Sequence, residues 1–288
     1  MNKKIIIGII AVVVIVVGVF VFLNLRTETT KLTGEVVEEE GSIQEERILH
    51  IATLPWEPFM YEEDGESKGI AVDIMDRAMQ NLNVDYDLTL IPWSRALKMA
   101  KFGEIDAVLG ATHKEDRESY IAYTQEQLAY GRKEVIPEAY LLKVDYVFFI
   151  RKINKGILEF KSIDQVVLDG YIVGVNQDFS YTPKINNAHW NTVVHFDEKG
   201  SFKALQNDEM DVFLANREVG LGVLNEIGLS DEIACIDIPV DTSYLFLVFS
   251  KKSDYPNLDE LIEKVDNEFL RIYKIGEFEE IYNKYTQE

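Results

Sequence analysis

Gly110, Thr112 and Arg117, within the short stretch GATHKEDR, have the chemistry to hold an anion. They follow the apolar run 105–109, so a hydroxyl and a guanidinium stand within about one helical turn of an expected strand's carboxyl end. In open α/β sheets that edge is where ligands sit. A guanidinium offers a planar fork to a carboxylate, and such bidentate, charge-assisted bonds are strong and directional. On these residues alone the plainer reading is that Arg117 pairs with Glu115 or Glu118 on a solvated surface, where an ion pair contributes under about 1 kcal/mol.

Other candidates are aromatic, hydroxyl or amide groups. Trp56 and Phe59 lie in the loop LPWEPFMY, made irregular by Pro55 and Pro58. Trp93 follows Pro92 where a helix begins, a place that also suits a hydrophobic staple. Ser180 and Tyr181 lie where a strand leads into an expected helix start, whose unpaired N–H groups can receive an anion; Ser180 as a simple N-cap is the alternative. Asn216 offers an amide, which accepts a hydrogen bond but carries no charge, or it caps a helix. Acid–base work requires a carboxylate or histidine in a cleft. Only His113, Glu57 and Asp178 present themselves, each with an alternative as a hydrated loop residue.

These side chains need elements to position them. A strand is expected at 48–53, a turn at 65–69, an amphipathic helix at 71–82 with Val72, Met75, Ala78, Met79 and Leu82 inward, and a strand at 84–91. A short helix with Ala96, Leu97, Ala100 and Phe102 at helical spacing then leads through Gly103-Glu104 into the strand 105–109. Further strands are expected at 145–151, 170–176, 210–214, 233–240 and 244–249. Helices are expected at 162–168, around 202–205, and at 216–227, 258–275 and 278–285. Repeated strand–helix alternation implies a mostly parallel sheet, twice over.

Composition narrows the function classes. At 288 residues with 47% hydrophobic content, the chain can fill real cores. Its 29 Lys plus Arg against 50 Asp plus Glu give a formal net charge of -21, which repels phosphate backbones, so nucleic acid is not an expected partner. The single cysteine, Cys235, sits in an apolar run and reads as a buried small hydrophobe. The four histidines are scattered without HExxH spacing, so no metal and no cofactor are expected.

After Lys3-Lys4, residues 5–25 are almost wholly apolar. About 20 residues at roughly 1.5 Å rise span a hydrocarbon core of roughly 30 Å. The run ends without a small-residue cleavage site, so one N-terminal transmembrane helix is expected, uncleaved, with the remainder of the chain outside. Residues 26–46 are polar and acidic and read as a mobile tether.

The succession Gly103-x-Ile105-Asp106-Ala107, Gly110-x-Thr112, Arg117 and Tyr123-Thr124 resembles the polar amino-acid-binding family of extracytoplasmic solute-binding proteins, the receptors of ABC importers. The resemblance covers roughly residues 50–285. It implies that Gly110 and Thr112 contact a ligand, that Arg117 clamps its carboxylate, and that Trp56 packs over it. It also implies that Trp93 lines the cleft, and that Ser180 and Asn216 face it from a second lobe. Members of that family commonly carry Asp at the position of Asn216 to pair with a ligand ammonium, so an α-amino acid is not assured.

The implied fold is α/β, two-lobed and periplasmic-binding-protein-like, with two interlobe crossovers. Its segments are 1–25 anchor, 26–46 linker, 47–140 first lobe, 141–243 second lobe and 244–288 return. The implied function is a monomeric receptor at the cell membrane. It captures a small polar solute bearing a carboxylate for an ABC permease, without enzymatic activity. Two alternatives stand beside it: sensing for a membrane partner without transport, and a dehydratase-like enzyme on the same fold.

Overall fold

In the first lobe, strand β1 (Leu49–Thr53) is flanked on both sides by parallel neighbours, with Leu49 opposite Tyr86 and Ile51 opposite Ala107. The computed structural model of the chain describes residues 47–131, 140–156, 165, 170–177, 185 and 187–286. After β1 and its loop, the hairpin of β2 (Tyr61–Glu63) and β3 (Glu66–Lys68) leads into helix α1 (Ile70–Leu82). Helix α1 buries Ile70, Val72, Ile74, Met75, Ala78 and Met79, the stripe that 3.6-residue periodicity requires. It ends at Asn83 in the left-handed conformation, whose N–H bonds back to the carbonyls of Gln80 and Met79.

Strand β4 (Tyr86–Leu90), helix α2 (Trp93–Phe102), strand β5 (Ala107–Ala111), the two-residue β6 (Ile121–Ala122) and helix α3 (Gln125–Gly131) follow. Helical crossovers return the chain each time to the same end of the sheet, which places β4 and β5 on either side of β1 and parallel to it.

The second lobe is built on β7 (Leu142–Arg151), β8 (Ile172–Asn176), β9 (Asn191–His195) and, beyond helix α4 (Glu198–Gln206), β10 (Val212–Asn216). Helix α5 (Arg217–Glu226), β11 (Ile233–Cys235) and β12 (Asp241–Ser250) come next. Strand β12 belongs to both sheets: Asp241 to Leu245 pair with β7, and Phe246 to Phe249 pair with β5. The chain then ends in α6 (Leu258–Lys274) and α7 (Glu277–Thr286), which pack on α1 in the first lobe.

Several expectations are corrected by the fold. The sheets are not mostly parallel at their junction: β12 runs antiparallel to β5 and β7, and β7 antiparallel to β10 and β11. One strand carries the chain into the second lobe and the other carries it back, so opposed directions there are forced. The strand expected at 105–109 is shifted to Ala107–Ala111, because Asp106 is held in the preceding turn by Arg47, the His50 N–H and the Ser253 hydroxyl. The run 233–240 forms a strand only over Ile233–Cys235; Pro239 has no N–H to give a ladder.

Phe102 does not face inward but is 55% exposed, leaving Ala96 and Ala100 as the buried face of α2. Cys235 is half-buried rather than enclosed. Strand β9 was not expected from the sequence. The expectations for the anchor 1–25, the linker 26–46, the helix 162–168 apart from Gln165, and Asp178, Ser180 and Tyr181 lie outside the described residues. Among the described residues, no helix is long and apolar enough to cross a membrane.

Candidate functional site

Gly110 shapes the site first. The register of β5 on β12 skips it, with Phe246 opposite Ala111 and Leu247 opposite Leu109, so Gly110 is the extra residue of a bulge. Its φ of +84° is unfavourable for any residue with a Cβ, and a Cβ there would lie 2.9 Å from Met60 Cε. Beyond the bulge the ladder holds for one more residue, Ala111, and Thr112 is the first residue past the strand.

From there the chain bends through a 3-10 turn, Glu115–Arg117, that folds Arg117 back over the strand end. The guanidinium Nη1 donates to the carbonyl of Thr112 at 2.9 Å, and the guanidinium carbon sits 5.5 Å from the centre of the Trp93 ring. Arg117 is only 4% exposed. Among the described residues, no carboxylate comes within ion-pair distance of it. The three acids beside it in sequence do not neutralise it: Glu118 Oε1 meets His113 Nε2 at 2.8 Å, and Glu115 and Asp116 are exposed to solvent. The surface ion pair that sequence alone favours is therefore not formed.

Tyr123 completes this wall. Its hydroxyl donates to the same Thr112 carbonyl at 3.3 Å, and the His113 ring packs edge-on against it with centroids 5.0 Å apart. Burial pushes the Tyr123 hydroxyl up to about 12, with Arg117 opposing, so it stays a neutral donor across the physiological range. The half-buried Lys114 is shifted down by burial and by the neighbouring Arg117. Two cations thus share one corner of a protein whose net charge is strongly negative. Neither spacing nor residue type in the sequence marks Tyr123 or Lys114 as belonging to this corner.

The aromatic loop is fastened to the same lobe. The carbonyls of Pro58 and Phe59 accept the N–H groups of Ile70 and Ala71, each at 3.0 Å, which satisfies the open first turn of α1. Gly69 allows that approach; a Cβ there would fall 2.4 Å from the Phe59 carbonyl oxygen. Phe59 is fully buried and serves the core, whereas Trp56 is half-buried, its ring 4.8 Å from that of Phe59. The Trp56 Nε1–H is buried and has no acceptor among the described residues.

Asn216 stands apart from this group. It ends β10, and its side-chain oxygen accepts the Val219 N–H at 3.1 Å as the N-cap of α5, while its amide nitrogen donates to the Asp145 carbonyl at 3.4 Å. It is 1% exposed and both ends of its amide are engaged. The structure thus brings Gly110, Thr112, Arg117 and Trp93 together, with Tyr123 and His113 beside them. It gives Asn216 a helix to cap, and Ser180 falls outside the described residues. Among the described residues, no group of His, Cys, Asp or Glu is arranged to hold a metal ion.

Known proteins share this architecture. The chain is 20% identical over 251 residues to the probable amino-acid-binding protein YxeM of Bacillus subtilis, covering 86% of this chain and 87% of that protein. A histidine kinase sensor domain with similarity to periplasmic binding proteins superposes with a TM-score of 0.62 at 15% identity, over 84% of this chain and 96% of that one. The substrate-binding protein of an amino acid ABC transporter does so with a TM-score of 0.57 at 14% identity, over 84% and 100%. At these identities the structural likenesses speak for the fold. The family profile that matches, bacterial extracellular solute-binding proteins, family 3, extends over residues 49–288. It spans most of the chain, and the protein belongs to that family.

Proposed function

We propose that the protein captures a small amino-acid-like solute through its carboxylate, between the two lobes, with Arg117 as the clamp. The observation that carries this reading is the near-complete burial of Arg117 without an acidic partner among the described residues. A buried, unpaired charge costs several kcal/mol, and the stacking of Trp93 and one carbonyl bond offset only part of that. An incoming carboxylate supplies the rest. Thr112 and the bulge at Gly110 form the floor, and the Trp56 Nε1–H offers a further donor. The amino-acid-binding relative in Bacillus subtilis agrees with this class of solute.

The apolar run 5–25 supports tethering at the cell membrane with the lobes outside, and the likeness to an ABC transporter's binding protein supports delivery to a permease. The likeness to a histidine kinase sensor domain favours a second reading, in which closure informs a membrane partner. Neighbouring permease and ATPase genes would speak for the first, a neighbouring kinase gene for the second. The solute itself is tested by thermal unfolding of the full chain against a panel of L-amino acids, their decarboxylated amines and sugars. A ligand at a hundred times its Kd stabilises by about 2.7 kcal/mol. Stabilisation by an amino acid but not by its amine is expected; stabilisation by sugars alone contradicts the reading.

A further inference from the structure

Helix α7 packs on α1 and α6 in the first lobe, yet it reaches the second. The Tyr282 hydroxyl donates at 2.7 Å to Glu218 Oε1, in the first turn of α5. Both ends of α7 are fastened to the first lobe around this contact. At the C-terminal end, the Tyr285 hydroxyl donates to Asp73 Oδ2 at 2.8 Å and accepts the Gly69 N–H at 3.3 Å, while Lys284 Nζ meets the same Asp73 oxygen at 2.7 Å. Gly69 is the residue against which the aromatic loop packs. One turn before Tyr282, Phe278 stacks on both Tyr282 and Tyr273 of α6, at 5.7 and 4.3 Å. Tyr273 in turn donates to the Leu141 carbonyl and packs against Tyr140, where the chain enters β7.

We infer that α7 is a strap across the seam, whose Tyr282–Glu218 hydrogen bond forms only with the lobes together and biases the chain toward its closed form. This deepens the capture between two lobes proposed above and rests on it. A hydrogen bond to a carboxylate is stronger than one between neutral groups. Burial and Glu218 hold the Tyr282 hydroxyl well above its ordinary range, so it remains a donor.

The seam also carries an opposing cost. Glu218 Oε2 and Arg217 Nε are buried there and have no partner among the described residues. Unmade buried hydrogen bonds disfavour the closed state, and opening hands both atoms to water. The strap therefore sits on a two-state contact rather than a permanent one.

The test needs no solute. The full chain carries Cys235→Ser with Lys98→Cys on α2 and Lys203→Cys on α4, both exposed positions, labelled for single-molecule energy transfer. Tyr282→Phe, which removes one oxygen, is expected to lower the closed-to-open ratio about two- to ten-fold. In a Glu218→Ala background, Tyr282→Phe is expected to lower the ratio no further, since both remove one shared bond. An unchanged ratio in Tyr282→Phe, or losses that add, would overturn the strap. Adding the amino-acid panel to the otherwise unsubstituted labelled chain reports separately on the solute: no closure there counts against the proposed ligand and leaves the strap result standing.

Discussion

The guanidinium of Arg117 lies over the ring of Trp93, 5.5 Å from its centre, although one opens α2 and the other closes the turn after β5. They meet because β5 returns parallel to β1 and the bulge at Gly110 folds the following turn back toward the start of α2. A cation over an aromatic face gains about 0.5–2 kcal/mol. That holds the guanidinium in place without neutralising it, which leaves its charge for a guest.

Trp93→Ala should therefore weaken binding of the best amino acid from the thermal panel by about three- to ten-fold. Titration calorimetry reads this directly. An unchanged Kd would mean that Trp93 serves only the core of the first lobe.

Gly110→Ala puts a Cβ into a left-handed backbone and against Met60. A loss of about 2–4 kcal/mol is expected from the conformational cost and the displaced side chain together, visible as a lower urea midpoint with an unchanged slope. A midpoint within error of the parent chain would show that the bulge is not required.

Asn216→Ala removes the cap of α5 and is expected to cost about 1–2 kcal/mol of stability. Asn216→Ser keeps an acceptor for the Val219 N–H and should recover most of that. If Asn216 serves the helix alone, the serine variant binds the amino acid within about two-fold of the parent; a larger loss by calorimetry would give it a place at the ligand.

Asp266 on α6 makes stability depend on pH. It is 7% exposed, and its carboxylate accepts from the Thr124 hydroxyl at 2.7 Å and from Gln127 Nε2 at 3.2 Å. Burial pushes it up to about 7, with Glu126 adding and the two hydrogen bonds opposing. Between the ordinary value of 3.8 and about 7, the folded chain keeps a proton that the unfolded chain has lost, so this contribution to stability falls as pH rises through that window. The slope is at most about 1.4 kcal/mol per pH unit. Asp266→Asn should flatten it, checked by chemical unfolding from pH 4 to pH 8; an equal slope in both chains would contradict it.

Much of the architecture was legible because periodic burial leaves a pattern. The stripe Val72, Met75, Ala78, Met79 gave α1 to within a residue, and α6 and α7 declared themselves in the same way. Strand β9 did not, since Asn191, Thr192 and Val194 are exposed on an outer edge and show no apolar run. The bulge at Gly110 depends on register against β12, a partner more than a hundred residues away, and no local signal encodes it. The burial of Arg117 was hidden for a related reason. Glu115 and Glu118 stand close in sequence, and only the fold turns one to solvent and gives the other to His113.

Calorimetry on Arg117→Ala, with the amino acid that most stabilises the parent chain, tests the carboxylate clamp most directly. Removing one partner of a buried charge pair costs about 2–5 kcal/mol, so affinity should fall at least tens-fold while the chain stays folded. A folded Arg117→Ala chain that binds the same amino acid as tightly as the parent would contradict it.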